Sequence, residues 1–361
     1  MAEKIRNLEI SNYRGIKHAD LENFGDINVF IGKNGTGKST VLEAIAIGAS
    51  KCKVDYLGNS IFVNILNRRG WDKNKFYDIV EELNYQHKHS PKICINKKDA
   101  YFLSFFSSIS SQDFETIKKE IKKEIEEIKV AINVNRLLKK EEKWYCTHYL
   151  WIDREKNLQY FILWNKELKN IFEDVEPVIA LDNYMLRNLS LTANIFEKLI
   201  DLFGWKAKQA IIDGIKFLYS DVKDIDIKEN IIRAIFDEYS LTFPSLADGL
   251  KSTLIVSIIT YLLDKGFICI EEPENHLHPG MMEFYVDKIV ESSKKRKNQI
   301  FISTHSLDFI SLLLKRVEKE NISVNLYHLI ELEKGILKYV CYSKEDALGA
   351  IEKIGIDLRK L

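Results

Sequence analysis

Neither sign of charge is in excess in this sequence. Its 53 lysines and arginines balance 53 aspartates and glutamates over 361 residues, so no global field steers the chain to nucleic acid or an anionic membrane. Contact with DNA would need a local patch, a partner or an assembled form. Paired cysteines are missing as well. Cys52, Cys94, Cys146, Cys269 and Cys341 are scattered without metal-ligand or redox spacing, which points to free thiols in a reducing compartment. The opening stretch, MAEKIRNLEISNYRG, is charged at once and has no apolar signal core. The most apolar run, TLIVSIITYLL, is too short to span a bilayer and reads as a buried helix. No internal repeat or low-complexity linker interrupts the chain. These absences lead us to expect a soluble, cytoplasmic protein with no membrane partner.

What is present concentrates at the two ends. KIRNLEISNY and GIKHADLENF alternate as strands do, DINVFI is a short buried strand, and STVLEAIAIGAS has helical spacing. Between strand and helix lies GKNGTGKST, Gly32 to Thr40, which fits the phosphate-loop pattern G-x-x-x-x-G-K-[ST] in its required context. Gly32, Gly35 and Gly37 let the backbone curl, so that the amides of Lys33, Asn34, Thr36 and their neighbours face a polyphosphate. The helix beginning near Lys38 adds the positive end of its dipole. Lys38 would reach the β- and γ-phosphates, and Ser39 would offer a hydroxyl to Mg²⁺.

A triphosphate held there needs a magnesium anchor and a group that orients water, both from a neighbouring parallel strand. FICIEEPENHLHP, residues 267–279, supplies the pattern: four apolar residues running straight into Glu271 and Glu272. Glu271 is expected in the Mg²⁺ shell through water, and Glu272 as general base. Pro279 is placed to open a helix, and QIFISTHS is the next buried strand. Its His305 is expected to donate to the γ-phosphate. His276 and His278 have H-x-H spacing without a third ligand. Lys294 to Lys297, KKRK, reads better as a solvated helix end than as a nucleic-acid patch. NKKD at 96–99 and DYLG at 55–58 imitate guanine-nucleotide motifs. Asp55 follows the phosphate loop too closely for a switch, however, and Asn96 to Asp99 suits a turn.

The region between the two ends has a different character. KICINKKDAYFLSFF and WYCTHYLWIDREKNLQYFILW read as hairpins, the second turning at Asp153 to Asn157. Between them a charged helix carries Phe114, Ile117, Ile121, Ile125, Ile128 and Ile132 on one face, too short a stripe for a coiled-coil arm. From Ser190 to about Lys228 the spacing is mostly helical. The tail, ISVNLYHLIEL and GILKYVCY, reads as a hairpin before a closing helix.

Taken together, GKNGTGKST, FICIEEP, ENHLH and STHS resemble the Walker A, Walker B, D-loop and switch elements of ABC-class ATPases of the SMC, RecF and OLD type. The run IEEPENHLHP is particularly similar to the OLD-like branch, and NLEISNYRGIK to the family's opening strand pair. PSLADGLKSTL resembles the signature motif, with Ala247 where glycine is usual. The resemblance implies an α/β fold: an ABC-type P-loop NTPase core, a mixed sheet with flanking helices, carrying an α+β insert. Its expected parts are 1–60 with Walker A, an insert over 61–235, and 236–361 with the remaining motifs. It implies ATP and Mg²⁺ as cofactors and Arg14 near the nucleotide. Ser245, Asp248 and Gly249 would meet the γ-phosphate of a second copy, giving a homodimer in the ATP state. Gln86, Gln112 and Gln159 leave the Q-loop glutamine unassigned. OLD-type members carry a Toprim-type nuclease, whose spaced acids the tail does not show. An ATP-driven dimerising ATPase acting on DNA or on a separately encoded nuclease or toxin, in genome maintenance or antiviral defence, is therefore expected. The alternatives are a nucleotide-binding regulatory module without turnover and a nuclease.

Overall fold

A computed structural model of the chain describes residues 3–50, 55–58, 61–68, 83, 85–86, 91–97, 99–106, 146–152, 158–164, 167–168, 177–275 and 277–354. Strands β1 (Leu8–Tyr13) and β2 (Ile16–Leu21) form a hairpin, and β3 (Ile27–Ile31) leads into helix α1 (Lys38–Ala49) and α2 (Ile61–Arg68). Strands β4 (Lys92–Ile95), β5 (Asp99–Phe106), β6 (Cys146–Ile152), β7 (Leu158–Trp164) and β8 (Glu167–Leu168) follow as an antiparallel series. Next come β9 (Val178–Leu181), α3 (Asn183–Arg187), α4 (Leu189–Lys216), β10 (Asp224–Lys228), β11 (Ile231–Ile235) and β12 (Ser240–Thr242). The chain continues with α5 (Asp248–Leu262), β13 (Phe267–Glu271), α6 (Pro279–Arg296), β14 (Gln299–Ser303) and α7 (Leu307–Val317). It closes with β15 (Val324–Glu333), β16 (Ile336–Ser343) and α8 (Lys344–Ile354).

The two predicted hairpins, β4–β5 and β6–β7, pair as expected. The striped helix with Phe114 and Ile117, the Asp153–Asn157 turn and His276 lie outside the described residues.

Among the described residues thirteen strands share one sheet in the order β8-β7-β6-β5-β4-β1-β2-β16-β15-β3-β14-β13-β9. From β15 to β9 all neighbours are parallel. Parallel strands covered on both faces should be apolar throughout, and β3 and β14 are buried at every position. One face packs on α1 with β1 and β2, and the other on α4 to α7. Helix α5 is apolar nearly all round because α4 and α6 enclose it. Among the described residues no helix is long and apolar enough to cross a membrane. The fold is thus α/β, a P-loop NTPase core with a mixed sheet and flanking helices.

Helical spacing over 190–228 overruns the helix. Helix α4 ends at Lys216, and DIDIK is a strand in a separate three-stranded sheet, β10-β11-β12. The alternation Ile225, Ile227 against Asp224, Asp226 is the strand signal. Glu229 and Asn230, both at positive φ (53° and 60°), make the two-residue turn to β11. The tail hairpin joins the core: β15 lies beside β3, with His328 opposite Ile31.

That neighbour makes Gly32 irreplaceable. Its φ is 148°, and a Cβ there would lie 2.3 Å from Leu329 O on β15 and 2.9 Å from Thr36 Oγ1. Relief requires moving backbone, so Gly32→Ala should destabilise the fold by about 2–3 kcal/mol. Urea unfolding measures this directly, and an unchanged midpoint would contradict the close approach.

Candidate active site

Four parallel strand ends converge because their registers are aligned. Ser303 pairs with both Phe30 and Glu271, and Ile270 pairs with Leu181. The residues just beyond these pairs therefore lie along one edge of the sheet. They are the loop from Gly32, the acids Glu271 and Glu272, His305, and Asp182.

The loop curls as its glycines allow, with Gly35 and Gly37 also at positive φ (82° and 96°). Thr36 closes it, its Oγ1 donating to Lys33 O at 2.9 Å. Lys33, Asn34 and Gly35 are exposed, while Thr36, Lys38 and Thr40 are buried. Gly37 at the N-cap brings no side chain to the start of α1, so its first amides can receive an anion. Lys38 Nζ donates to Gly32 O at 2.9 Å and Lys33 O at 3.0 Å, spanning the mouth of the loop. Burial holds its pKa below the ordinary lysine value, against the pull of Glu272, Glu271 and Glu274.

Ser39 Oγ donates to Glu271 Oε1, bringing a hydroxyl and a carboxylate together beside the loop. Hard oxygen donors of this kind suit Mg²⁺, so the residues present fit the ion that the motif implies.

Glu272 is held on several sides. Its φ of 45° is rare for a side chain of this type. The backbone is pinned there by Glu272 N donating to Ser303 O at 2.8 Å. Asn275 Nδ2 donates to Glu272 Oε2 at 2.8 Å, and His305 Nε2 lies 3.3 Å from Oε1. His305 is fixed in turn, its backbone amide donating to Glu274 Oε1 at 2.7 Å. A carboxylate oriented in this way can take a proton from water.

Arg14 is tied to the helix that follows the loop. Its NH1 lies 2.7 Å from Glu43 Oε2 on α1, where the buried Tyr13 hydroxyl also donates at 3.1 Å.

The signature segment sits apart, on α5 between α4 and α6. Ser245, Ala247 and Asp248 are exposed, with Asp248 paired to Lys251 at 2.9 Å. Gly249 is buried against Met281. Ala247 leaves the start of α5 without a side-chain cap. At the far end of α6, Lys294 pairs with Glu320 and Lys295 with Glu291, each at 2.6 Å. Two of the four cations of the KKRK run are thus paired with acids.

Sequence reasoning missed Arg68 and Asp182. Arg68 NH2 lies 2.6 Å from Glu271 Oε2, and its NH1 lies 3.6 Å from Glu43 Oε1 and 3.8 Å from Asp182 Oδ2. Burial disfavours its charge, but Glu271, Glu43 and Asp182 together hold the Arg68 pKa above the ordinary arginine value. The one local signal was Asp182 itself, an acid directly after the apolar run VIAL, as Glu271 follows FICI.

The chain is similar to known ATPase domains. A family described as AAA ATPase domain matches residues 4–240. A second, described as "AAA domain, putative AbiEii toxin, Type IV TA system", matches residues 189–311. An ATP/GTP phosphatase of Helicobacter pylori is 22% identical over 86% of this chain and 87% of its own length. An OLD nuclease of Thermus scotoductus is 24% identical over 97% of this chain, which spans 66% of the nuclease. Among solved structures, the Smc head bound to the C-winged helix domain of ScpA superposes with a TM-score of 0.50 at 14% identity. That match covers 96% of this chain and 100% of the Smc head, and shows a shared fold.

Proposed function

This chain belongs to the AAA ATPase domain family, and on that premise we propose that it binds Mg·ATP at Gly32–Thr40, hydrolyses it, and dimerises around it. The observation that carries the reading is the meeting of Lys38, Ser39, Glu271, Glu272 and His305 at aligned strand ends.

In this reading the loop amides and Lys38 bind the β- and γ-phosphates. Ser39 and Glu271 would hold Mg²⁺, which neutralises phosphate charge when bound. Glu272 accepts the proton of the attacking water, positioned by Asn275 and His305. The His305 imidazole faces the charge that develops on the γ-phosphate. Arg14, paired with Glu43 on α1, stands near the nucleotide in this reading.

Dimerisation rests on the start of α5, which Ala247 leaves without a side-chain cap. Ser245, Asp248 and the first amides of α5 present a hydroxyl, a carboxylate and donors on an exposed surface. In this reading they would meet the γ-phosphate of a second copy. One phosphate loop and one such segment per chain make a two-fold homodimer self-complementary. The same reading keeps 1–60 and 236–361 as the nucleotide-binding halves and 61–235 as the output element, with β9 of that span serving the core as edge strand. The output would reach a separately encoded nuclease or toxin, or DNA. Support for a protein effector comes from the toxin-associated family match and the OLD nuclease likeness.

The test is phosphate release from Mg·ATP together with light scattering. Turnover and a doubling of mass on adding ATP are expected. ATP binding without phosphate release would favour a regulatory module, a reading that the exposed Ala247 at the signature turn supports.

A further inference from the structure

The Arg68 guanidinium occupies the carboxylate that the proposed reading assigns to the divalent ion. Its NH2 group lies 2.7 Å from Glu271 Oε1 and 2.6 Å from Oε2, and Ser39 also donates to Oε1. These contacts engage both oxygens of Glu271. Mg²⁺ demands close, near-octahedral oxygen ligands, and two cations sharing one partly buried carboxylate repel strongly. The ion and the guanidinium therefore compete.

The surroundings offer the guanidinium a second position. NH1 already lies within 4 Å of Glu43 on α1 and Asp182 at the end of β9. Asp182 is itself held in place, its Oδ1 accepting from Met185 N at 2.9 Å. Ile61 and Ile65 anchor α2 in the cavity that Arg68, Glu43, Asp182 and Glu271 also line. Arg68 can thus leave Glu271 without leaving the acidic cluster.

We propose that Arg68 is a tethered counter-ion for Glu271, displaced towards Glu43 and Asp182 when Mg·ATP loads, so that metal loading is transmitted to α2. The inference rests on Mg·ATP binding at the phosphate loop.

The test titrates Mg²⁺ against binding of a fluorescent ATP analogue to the full chain, native and Arg68→Ala. Without the competing cation, half-saturation should fall to about tenfold lower Mg²⁺, equivalent to ~1.4 kcal/mol. Arg68→Lys should fall between the two, since a single ammonium cannot span Glu271, Glu43 and Asp182 as the guanidinium does. An unchanged or higher Mg²⁺ requirement, or weaker binding at saturating Mg²⁺, would overturn the proposal and make Arg68 a fixed support or a phosphate ligand. Amide exchange in native residues 61–68 gives an answer even if the variants fail to fold. ATP with Mg²⁺ should change that exchange relative to ATP with a chelator, and identical exchange would also overturn the proposal. If the native chain binds no analogue at any Mg²⁺ concentration, the nucleotide site itself is misassigned. Native binding with an unshifted variant refutes only the role of Arg68.

Discussion

Glu272→Gln should bind Mg·ATP as the native chain does, yet release phosphate about 10²–10⁴-fold more slowly, the range a positioned general base supplies. The substitution keeps the shape of the side chain. A glutamine Oε1 can still accept from Asn275 Nδ2, now at 2.8 Å from Glu272 Oε2. The backbone turn, pinned by the Ser303 carbonyl, does not depend on side-chain charge. What disappears is the proton acceptor. Since ATP is expected to join two copies and hydrolysis to part them, the variant should also accumulate as a dimer that persists with ATP. Single-turnover phosphate release and light scattering measure the two consequences separately. A rate within roughly tenfold of the native chain would move the general base to another residue. A slow variant that stays monomeric would uphold the chemistry and remove the dimer.

The parts of this site that were legible in the sequence are those where function and local structure coincide. GKNGTGKST combines strand, turn and helix in nine residues. FICIEE and ISTHS each carry a buried parallel strand directly into a polar residue. The parts not legible depend on pairing across the chain. Glu271 and Arg68 are 203 residues apart, and nothing around Arg68 shows which carboxylate it will meet. VIAL, with four residues, is too short to carry a period, although it becomes the edge strand beside β13. DIDIK reads as the end of a helical pattern because Ile211, Ile215, Val222 and Ile225 keep an apolar residue near each helical turn. Tertiary context decides otherwise, since β11 offers the ladder that makes it a strand. The position of β15 beside the phosphate loop was equally invisible, and it is this strand that forbids a side chain at Gly32.

Lys38→Ala should abolish ATP binding in the micromolar range while leaving most of the fold intact. The lysine serves two purposes that the experiment can separate. In the loop it donates to the Gly32 and Lys33 carbonyls and is only 6% exposed. Losing those bonds costs about 1–2 kcal/mol at most, because Lys33 is exposed and water can replace a donor there. Towards nucleotide the loss is larger. Removing a buried cation that faces two phosphates forfeits about 3–4 kcal/mol, two to three orders of magnitude in affinity. Burial already disfavours the ammonium, and Glu272, Glu271 and Glu274 only partly compensate. Phosphate oxygens at the same point would be its strongest partners. Thermal unfolding with and without nucleotide reads both effects. Mg·ATP at 100 times its dissociation constant should stabilise the native chain by ~2.7 kcal/mol. In Lys38→Ala the midpoint without nucleotide should fall slightly, and the gain on adding Mg·ATP should vanish. A variant that keeps that gain would show that Gly32–Thr40 does not hold the triphosphate, and the roles given to Glu271, Glu272 and His305 would lose their common centre.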